Sequence, residues 1–188
     1  MTAPLDIASN RRARKWTGRE LAGRVAWAIA SRPLFAWTPR PLWGLRRVVL
    51  RAFGARIGRR VHLYPSVRIT VPWNLTIGAF TAVGDRAILY ALGPIVLGAR
   101  VTVSQSAHLC AGSHDWRGST MDLLKPPIAV GDDAWICADA FVGPGVTIGT
   151  GSILGARAVA LRNIPDQVIA LGNPAAVVAA RPSATGAP

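Results

Sequence analysis

From residue 57 onward an aliphatic side chain returns at every sixth position. The series runs Ile57, Leu63, Ile69, then Ile77, Val83, Leu89, then Leu97, Val103, Leu109. It resumes with Val130, Ile136, Val142 and closes with Ile148, Leu154 and a weaker Ala160. The steps between these groups are eight, eight, twenty-one and six residues. A period of six matches neither the roughly 3.6 of a helix nor the 2 of a simple strand. Internal repetition at a short fixed period predicts an all-β solenoid, and six is the period of a parallel β-helix.

Three hexads make one turn of a triangular prism, so about five turns begin at residues 57, 77, 97, 130 and 148. The first face stacks Ile57, Ile77, Leu97, Val130 and Ile148, and the second stacks Leu63, Val83, Val103, Ile136 and Leu154. The third stacks Ile69, Leu89, Leu109, Val142 and Ala160. Burial of these rows drives folding. Gly58, Gly78, Gly98, Gly131 and Gly149 follow the first-face aliphatics and mark a position that disfavours a Cβ. Val67, Ala87, Ala107, Ala140 and Ala158 are small enough for a tight corner. At about 4.8 Å per turn, the strand spacing, five turns stand roughly 24 Å tall. A β-sandwich has no reason to keep a six-residue phase. Every interruption follows a third face, so all leave one edge. The step from 109 to 130 exceeds six by fifteen residues. It predicts a protruding loop over about 110–129, the kind of segment that carries function.

The chain divides into a basic helical segment at 1–56, the β-helix at 57–164 and a C-terminal segment with a tail at 165–188, where a short helix is expected. The formal charge is +13, but residues 1–60 hold fourteen Arg or Lys and two acids, while 61–188 hold eight bases and seven acids. The basic character therefore belongs to the N-terminal segment. Thr17–Arg32 reads as a helix around Leu21, Val25, Ala28 and Ile29, with a Thr17–Glu20 capping box and a stop at Pro33. A second helix is expected from about Pro41 to Phe53, ending at Gly54. Trp16, Trp27, Trp37 and Trp43 accompany these helices. Arg with Trp on amphipathic helices suits an anionic membrane surface. Helices at this place also cap the open end of a solenoid, and both roles are compatible. No nucleic-acid motif accompanies the arginines. The tail after Arg181 has a disordered composition.

Cys110 and Cys137 make no disulfide framework, which fits a reducing, cytoplasmic setting, although they lie on different turns and their pairing stays open. No signal peptide or membrane span is legible. The histidines are His62, His108 and His114. A zinc site of the three-histidine kind needs convergence. His108 and His114 lie one face apart, and His62 lies two turns below, so no metal site is expected. His62 and His108 read as turn or surface residues. His114 lies where the edge gives way to the long loop.

Several segments together resemble the left-handed β-helix acyltransferases: the hexads, Gly112-Ser113-His114-Asp115, Lys125-Pro126-Pro127-Ile128, Trp135-Ile136, Gly143-Pro144-Gly145-Val146-Thr147-Ile148-Gly149 and Gly172-Asn173-Pro174-Ala175. The nearest branch is the colanic-acid-biosynthesis type, and the resemblance covers about residues 20–181. It implies a left-handed coil, a homotrimer with active sites between subunits, acetyl-CoA as donor, a catalytic His on the loop and no catalytic metal. His114 is then the general base for a sugar hydroxyl of an extracellular-polysaccharide or lipid-linked glycan precursor. An imidazole with a pKa near 6.5 suits that work at neutral pH. Asp115 either orients the imidazole or the substrate, or serves as a turn residue.

By the same resemblance Trp135 and Ala138 flank the pantetheine and Ala156 contacts it through its backbone. Trp135 has a packing role between trimer subunits as its alternative. Arg162 stands at a CoA phosphate, where galactoside-type relatives have Thr-Lys and this chain has Leu161-Arg162. Arg181 is the nearest second phosphate ligand, or a surface charge. Galactoside-type relatives carry an acceptor-binding Asn on the turn before the His. Gly84-Asp85-Arg86 has none, which leaves Asp85 and Arg86 as acceptor candidates. An N-acyltransferase acting on an amino sugar and a non-catalytic trimeric scaffold are the competing functions.

Overall fold

The computed structural model describes residues 4–182. A triangular parallel coil runs from Arg56 to Leu171. The first-face strands are Arg56–Ile57, Leu75–Ile77, Ile95–Leu97, Ile128–Val130 and Thr147–Ile148, each paired in parallel with the next. The second and third faces stack in the same way, with Leu63 over Val83 and Ile69 over Leu89. The coil winds left-handed, against the usual preference for right-handed crossovers. All fifteen residues of the three predicted aliphatic rows are buried, from Leu63 at 0% to Ile69 at 9% exposure. The glycine column has a steric cause. A Cβ on Gly58 would lie 2.6 Å from the backbone N of Ala79, and one on Gly131 the same distance from that of Thr150.

The ladder has a direction. Amide N–H groups of each coil donate to carbonyls of the next: Gly58 to Ile77, Gly78 to Leu97, Gly98 to Val130 and Gly131 to Ile148, all at 2.8 Å. Carbonyls of the first coil and N–H groups of the last therefore need other partners. At the first coil those partners are side chains. Arg51 donates to the Ile57 carbonyl at 3.0 Å and Arg47 to that of Val61 at 3.0 Å. Arg46 donates to Leu63 O at 2.7 Å, and the Trp27 indole donates to Ile69 O at 2.7 Å. Every face of the prism is capped this way. Arg46 is fully buried, and its other nitrogens donate to Thr38 Oγ1 and to the carbonyls of Pro39 and Arg40. Burial lowers its pKa from the usual arginine value.

These donors sit on helices. α1 spans Ile7–Arg12, capped by Asp6. α2 spans Gly18–Ser31 and opens on the expected Thr17–Glu20 capping box. The α-helix ends before Pro33, as expected, and the chain continues in a π-helical turn, Arg32–Ala36. α3 spans Trp43–Ala52 and ends before Gly54, whose φ of +87° suits a residue without a Cβ. The tryptophans have separate roles. Trp27 is buried, Trp43 stacks on His62 at 4.8 Å, Trp16 lies between Arg24 and Lys125, and Trp37 is 74% exposed.

Among the described residues the expected short C-terminal helix is not present. Val168–Leu171 instead extends the second face, with Ile153 beside Ile169 and Leu154 beside Ala170. It then pairs antiparallel with Ala176–Ala180. Ala170 O in this strand accepts the Gly155 amide, and Gly172 O just past it accepts that of Val159, at 2.9 Å each, which a helix would leave unpaired. Ile164 bridges to Ile148, so a partial sixth turn follows the five complete ones. The tail beyond Pro182 lies outside the described residues.

Candidate active site

The long interruption is a hairpin rather than an irregular loop. Ser113–His114 pairs antiparallel with Leu123–Leu124. Asp115 builds the turn: its N–H donates to Asp122 O at 2.8 Å, and its carboxylate accepts from the Arg117 N–H at 3.1 Å. That carboxylate makes no hydrogen bond to the imidazole. His114 is exposed, and its Nδ1 lies 2.7 Å from the carbonyl oxygen of Met121. A carbonyl only accepts, so Nδ1 carries a proton, and in the neutral ring Nε2 is the nitrogen with the lone pair.

The N-terminal arm holds the far side of this hairpin, which no sequence pattern announced. The Asp6 N–H donates to Ser119 O at 2.8 Å. Asn10 Nδ2 donates to Thr120 O at 2.5 Å and to Met121 O at 2.9 Å. Lys125 Nζ donates to Lys15 O at 3.2 Å and sits 3.7 Å from the Trp16 ring centre.

Most other candidates line a different edge. Between the second and third faces the turns stack in register: Ser106 N–H to Asp85 O, Asp139 N–H to Gln105 O and Arg157 N–H to Ala138 O, at 2.8 to 3.1 Å. This edge presents Asp85, Gln105, Ala138 and Ala156 in a column. Trp135, 43% exposed, lies beside it, with its indole N–H donating to Ser104 Oγ at 2.9 Å. A groove of about 390 Å³ opens at the lower end, lined by Arg40, Tyr64, Asp85, Arg86, Ser104 and Gln105. Asp85 is already engaged there, by Ser66 Oγ at 2.9 Å and by Arg40 at 3.5 Å. Arg86 is exposed and has no side-chain partner among the described residues. A larger groove of about 670 Å³ lies between α2 and Trp73, lined also by Arg19 and Gly23. It belongs to the helical cap and contains none of the candidate residues.

His114 and Arg162 share the edge after the third face. Arg162 is exposed, and its guanidinium has no hydrogen bond or ion pair among the described residues. Arg181 is occupied: its Nη1 donates to Asp133 O at 2.9 Å and to Gly151 O at 2.8 Å, fastening the C-terminal hairpin to the coil. One chain therefore places His114 and Arg162 on one edge and Ala138, Ala156 and Asp85 on the next. Six residues of extended chain, up to about 20 Å, separate the two edges.

His62 is exposed under Trp43. His108 is not a surface residue. It is half-buried between Tyr90 and Phe141, both edge-on, and its Nε2 is buried without a partner. Burial lowers its pKa. Burial also pushes the Cys110 and Cys137 thiols up, which disfavours a thiolate nucleophile at neutral pH. Among the described residues no three His, Cys, Asp or Glu side chains converge on a metal position.

No family model matches the chain. The WcaF proteins of Escherichia coli (strain K12) and Shigella flexneri, ascribed to colanic acid biosynthesis as acetyltransferases, are 43% identical to it over 164 residues. That match covers 87% of this chain and 90% of each relative. Galactoside O-acetyltransferase of E. coli K12 is 27% identical over 140 residues, covering 71% of this chain and 67% of the relative. Among solved structures, a maltose O-acetyltransferase from Clostridium difficile 630 superposes with a TM-score of 0.81 at 22% identity, over 89% of this chain and 90% of that one. Galactoside acetyltransferase in complex with coenzyme A gives 0.81 at 20% identity, over 94% and 91%. The structural likenesses show the fold, and identity at 43% over most of the chain shows the family: the chain belongs to the WcaF-type branch of the hexapeptide-repeat acetyltransferases.

Proposed function

We propose that the chain transfers acetyl from acetyl-CoA to a sugar hydroxyl of an extracellular-polysaccharide or lipid-linked glycan precursor, with His114 as general base. The observation that carries this is the His114 ring itself, exposed on an ordered hairpin with Nδ1 bound to a carbonyl and Nε2 free. The acceptor hydroxyl gives its proton to Nε2 as its oxygen attacks the thioester carbonyl carbon. A backbone N–H is the simplest donor to the tetrahedral oxyanion. The C–S bond then breaks, and the imidazolium returns the proton to the departing thiolate.

The residues fit a long, thin donor. The small side chains of Ala138 and Ala156 leave the edge flat, Trp135 offers an apolar wall, and Arg162 has a free charge for a phosphate. Arg181, held by two carbonyls, is the weaker phosphate ligand. Because His114 and the alanine column occupy different edges, a complete site needs the His114 edge of one copy against the alanine edge of another. A homotrimer with three shared sites satisfies this. Arg86 and the groove beside it would then meet the acceptor.

Isothermal calorimetry with acetyl-CoA tests the reading. The wild type should bind, and Arg162→Ala should bind about tenfold more weakly, the size of one charge-assisted hydrogen bond. A folded trimer without binding would favour the scaffold alternative. A screen of sugar alcohols against amino sugars separates O- from N-transfer.

The helical cap supports peripheral lipid contact as well. Leu21, Val25 and Ile29 lie on one face of α2 and are 55%, 53% and 71% exposed, with Arg19 and Arg32 nearby. No helix of the described residues is long and apolar enough to cross a membrane. Anionic vesicles should co-sediment the wild type and release Ile29→Glu. Equal sedimentation of both would remove the idea.

A further inference from the structure

The Met121 carbonyl that fixes the His114 ring is itself held from outside the hairpin. It accepts two donors, His114 Nδ1 at 2.7 Å and Asn10 Nδ2 at 2.9 Å, which fills both lone pairs of a carbonyl oxygen. Asn10 also reaches Thr120 O at 2.5 Å, and Lys15 Nζ donates to Asn10 Oδ1 at 2.7 Å. Two carbonyls on one side and a lysine on the other fix which end of the amide is nitrogen. Met121 has a φ of +46°, a conformation a non-glycine residue leaves unless held. Within the hairpin its N–H reaches only Gly118 O, at 3.2 Å.

Asn10 is delivered by α1. Among the described residues its hydrogen bonds beyond its own helix go to Ser119, Thr120 and Met121, and Lys15, just after it, bonds Lys125. α1 itself buries no side chain and spends its polar contacts on the tip of one hairpin, so it is suited to hold that hairpin.

We infer that Asn10 is a positioning residue: it clamps the Met121 carbonyl, and through it holds His114 in the Nδ1–H tautomer with Nε2 free to take a proton. This rests on the reading of His114 as the base. In an untethered imidazole the proton prefers Nε2, the wrong nitrogen for a base aimed outward. Without Asn10 the carbonyl can rotate away and the ring loses its selection.

The test uses the full-length protein labelled with ¹⁵N-histidine, with His114 assigned by its loss in His114→Gln. Wild type should show a protonated Nδ1 and a bare Nε2 at neutral pH. Asn10→Ala and Asn10→Asp should shift His114 toward the Nε2–H form, while His62 and His108 keep their signals. Release of CoA thiol from acetyl-CoA with p-nitrophenyl β-D-galactoside as acceptor should show kcat falling about ten- to hundredfold. KM for acetyl-CoA should stay within about twofold, because Asn10 does not touch the donor edge. An unchanged His114 tautomer in both variants would overturn the inference, whatever happens to the rate. A fully active His114→Ala would instead sink the base reading, and the spectra would still decide whether Asn10 orients the ring.

Discussion

Leu109 and His114 are five residues apart and sit in different physical regimes. Leu109 is fully buried in the third face, with equivalent residues above and below it and a backbone paired to neighbouring coils. His114 is exposed, on the first strand of a single hairpin, with its ring fixed by one hydrogen bond to one carbonyl. The coil is redundant: each turn repeats the contacts of the last, and apolar area holds it. The hairpin has no repeat to fall back on. If His114 is the base proposed above, stability and chemistry reside in different side chains, and substitutions should separate them.

The sharpest contrast is His114→Ala. Steady-state assays should show turnover lower by about 10²- to 10⁴-fold, the usual worth of a general base. Thermal melting should stay within about two degrees, since an exposed side chain contributes little to the fold. Leu109→Ala should do the reverse. It leaves a cavity worth about 2–5 kcal/mol in urea unfolding, with kcat per folded subunit largely kept. Loss of activity in proportion to the fold loss would mean that coil and hairpin are not separable.

The helical cap gives an intermediate case, where polar groups rather than apolar area support the coil. Arg46→Ala strips donors from Leu63 O and its other acceptors, and should cost about 2–4 kcal/mol by urea titration. Arg46→Lys should recover only part of this, because one ammonium cannot reach all four acceptors.

The smallest effect concerns pH. His108 has its folded pKa lowered by burial, so below its unfolded value, near 6.5, the unfolded chain binds the proton more readily. Stability should therefore fall as pH drops from 7 toward 5. His108→Phe, edge-on between Tyr90 and Phe141, should flatten that slope in melts across the same range. An unchanged slope would place its cause elsewhere.

The six-residue phase of the aliphatics made the coil legible before any coordinates. It also placed the glycines where coils approach and His114 at the emerging edge, because local rules repeat with the chain. Thr17 and Glu20 announced their helix for the same reason. The end of the coil was not legible, since Val168–Leu171 falls outside the six-residue phase, and its place in the sheet is seen only where it pairs with Ile153–Leu154 of the fifth turn. The two-edge arrangement of His114 and the alanine column follows from the phase once the prism exists. The capping roles of Arg46, Arg47 and Arg51 do not: in sequence they read as surface charge on an amphipathic helix.

Sequence by itself determined the period, the turns and the three faces, and it singled out His114 as the candidate base. Tertiary structure decided what satisfies the first coil and what holds the His114 ring. Asn10 and Met121 are 111 residues apart, joined by one amide and one carbonyl. Such a contact has no period and no composition. It exists only because the coil brings the hairpin edge back beside the N-terminal arm, leaving a carbonyl with a lone pair to fill.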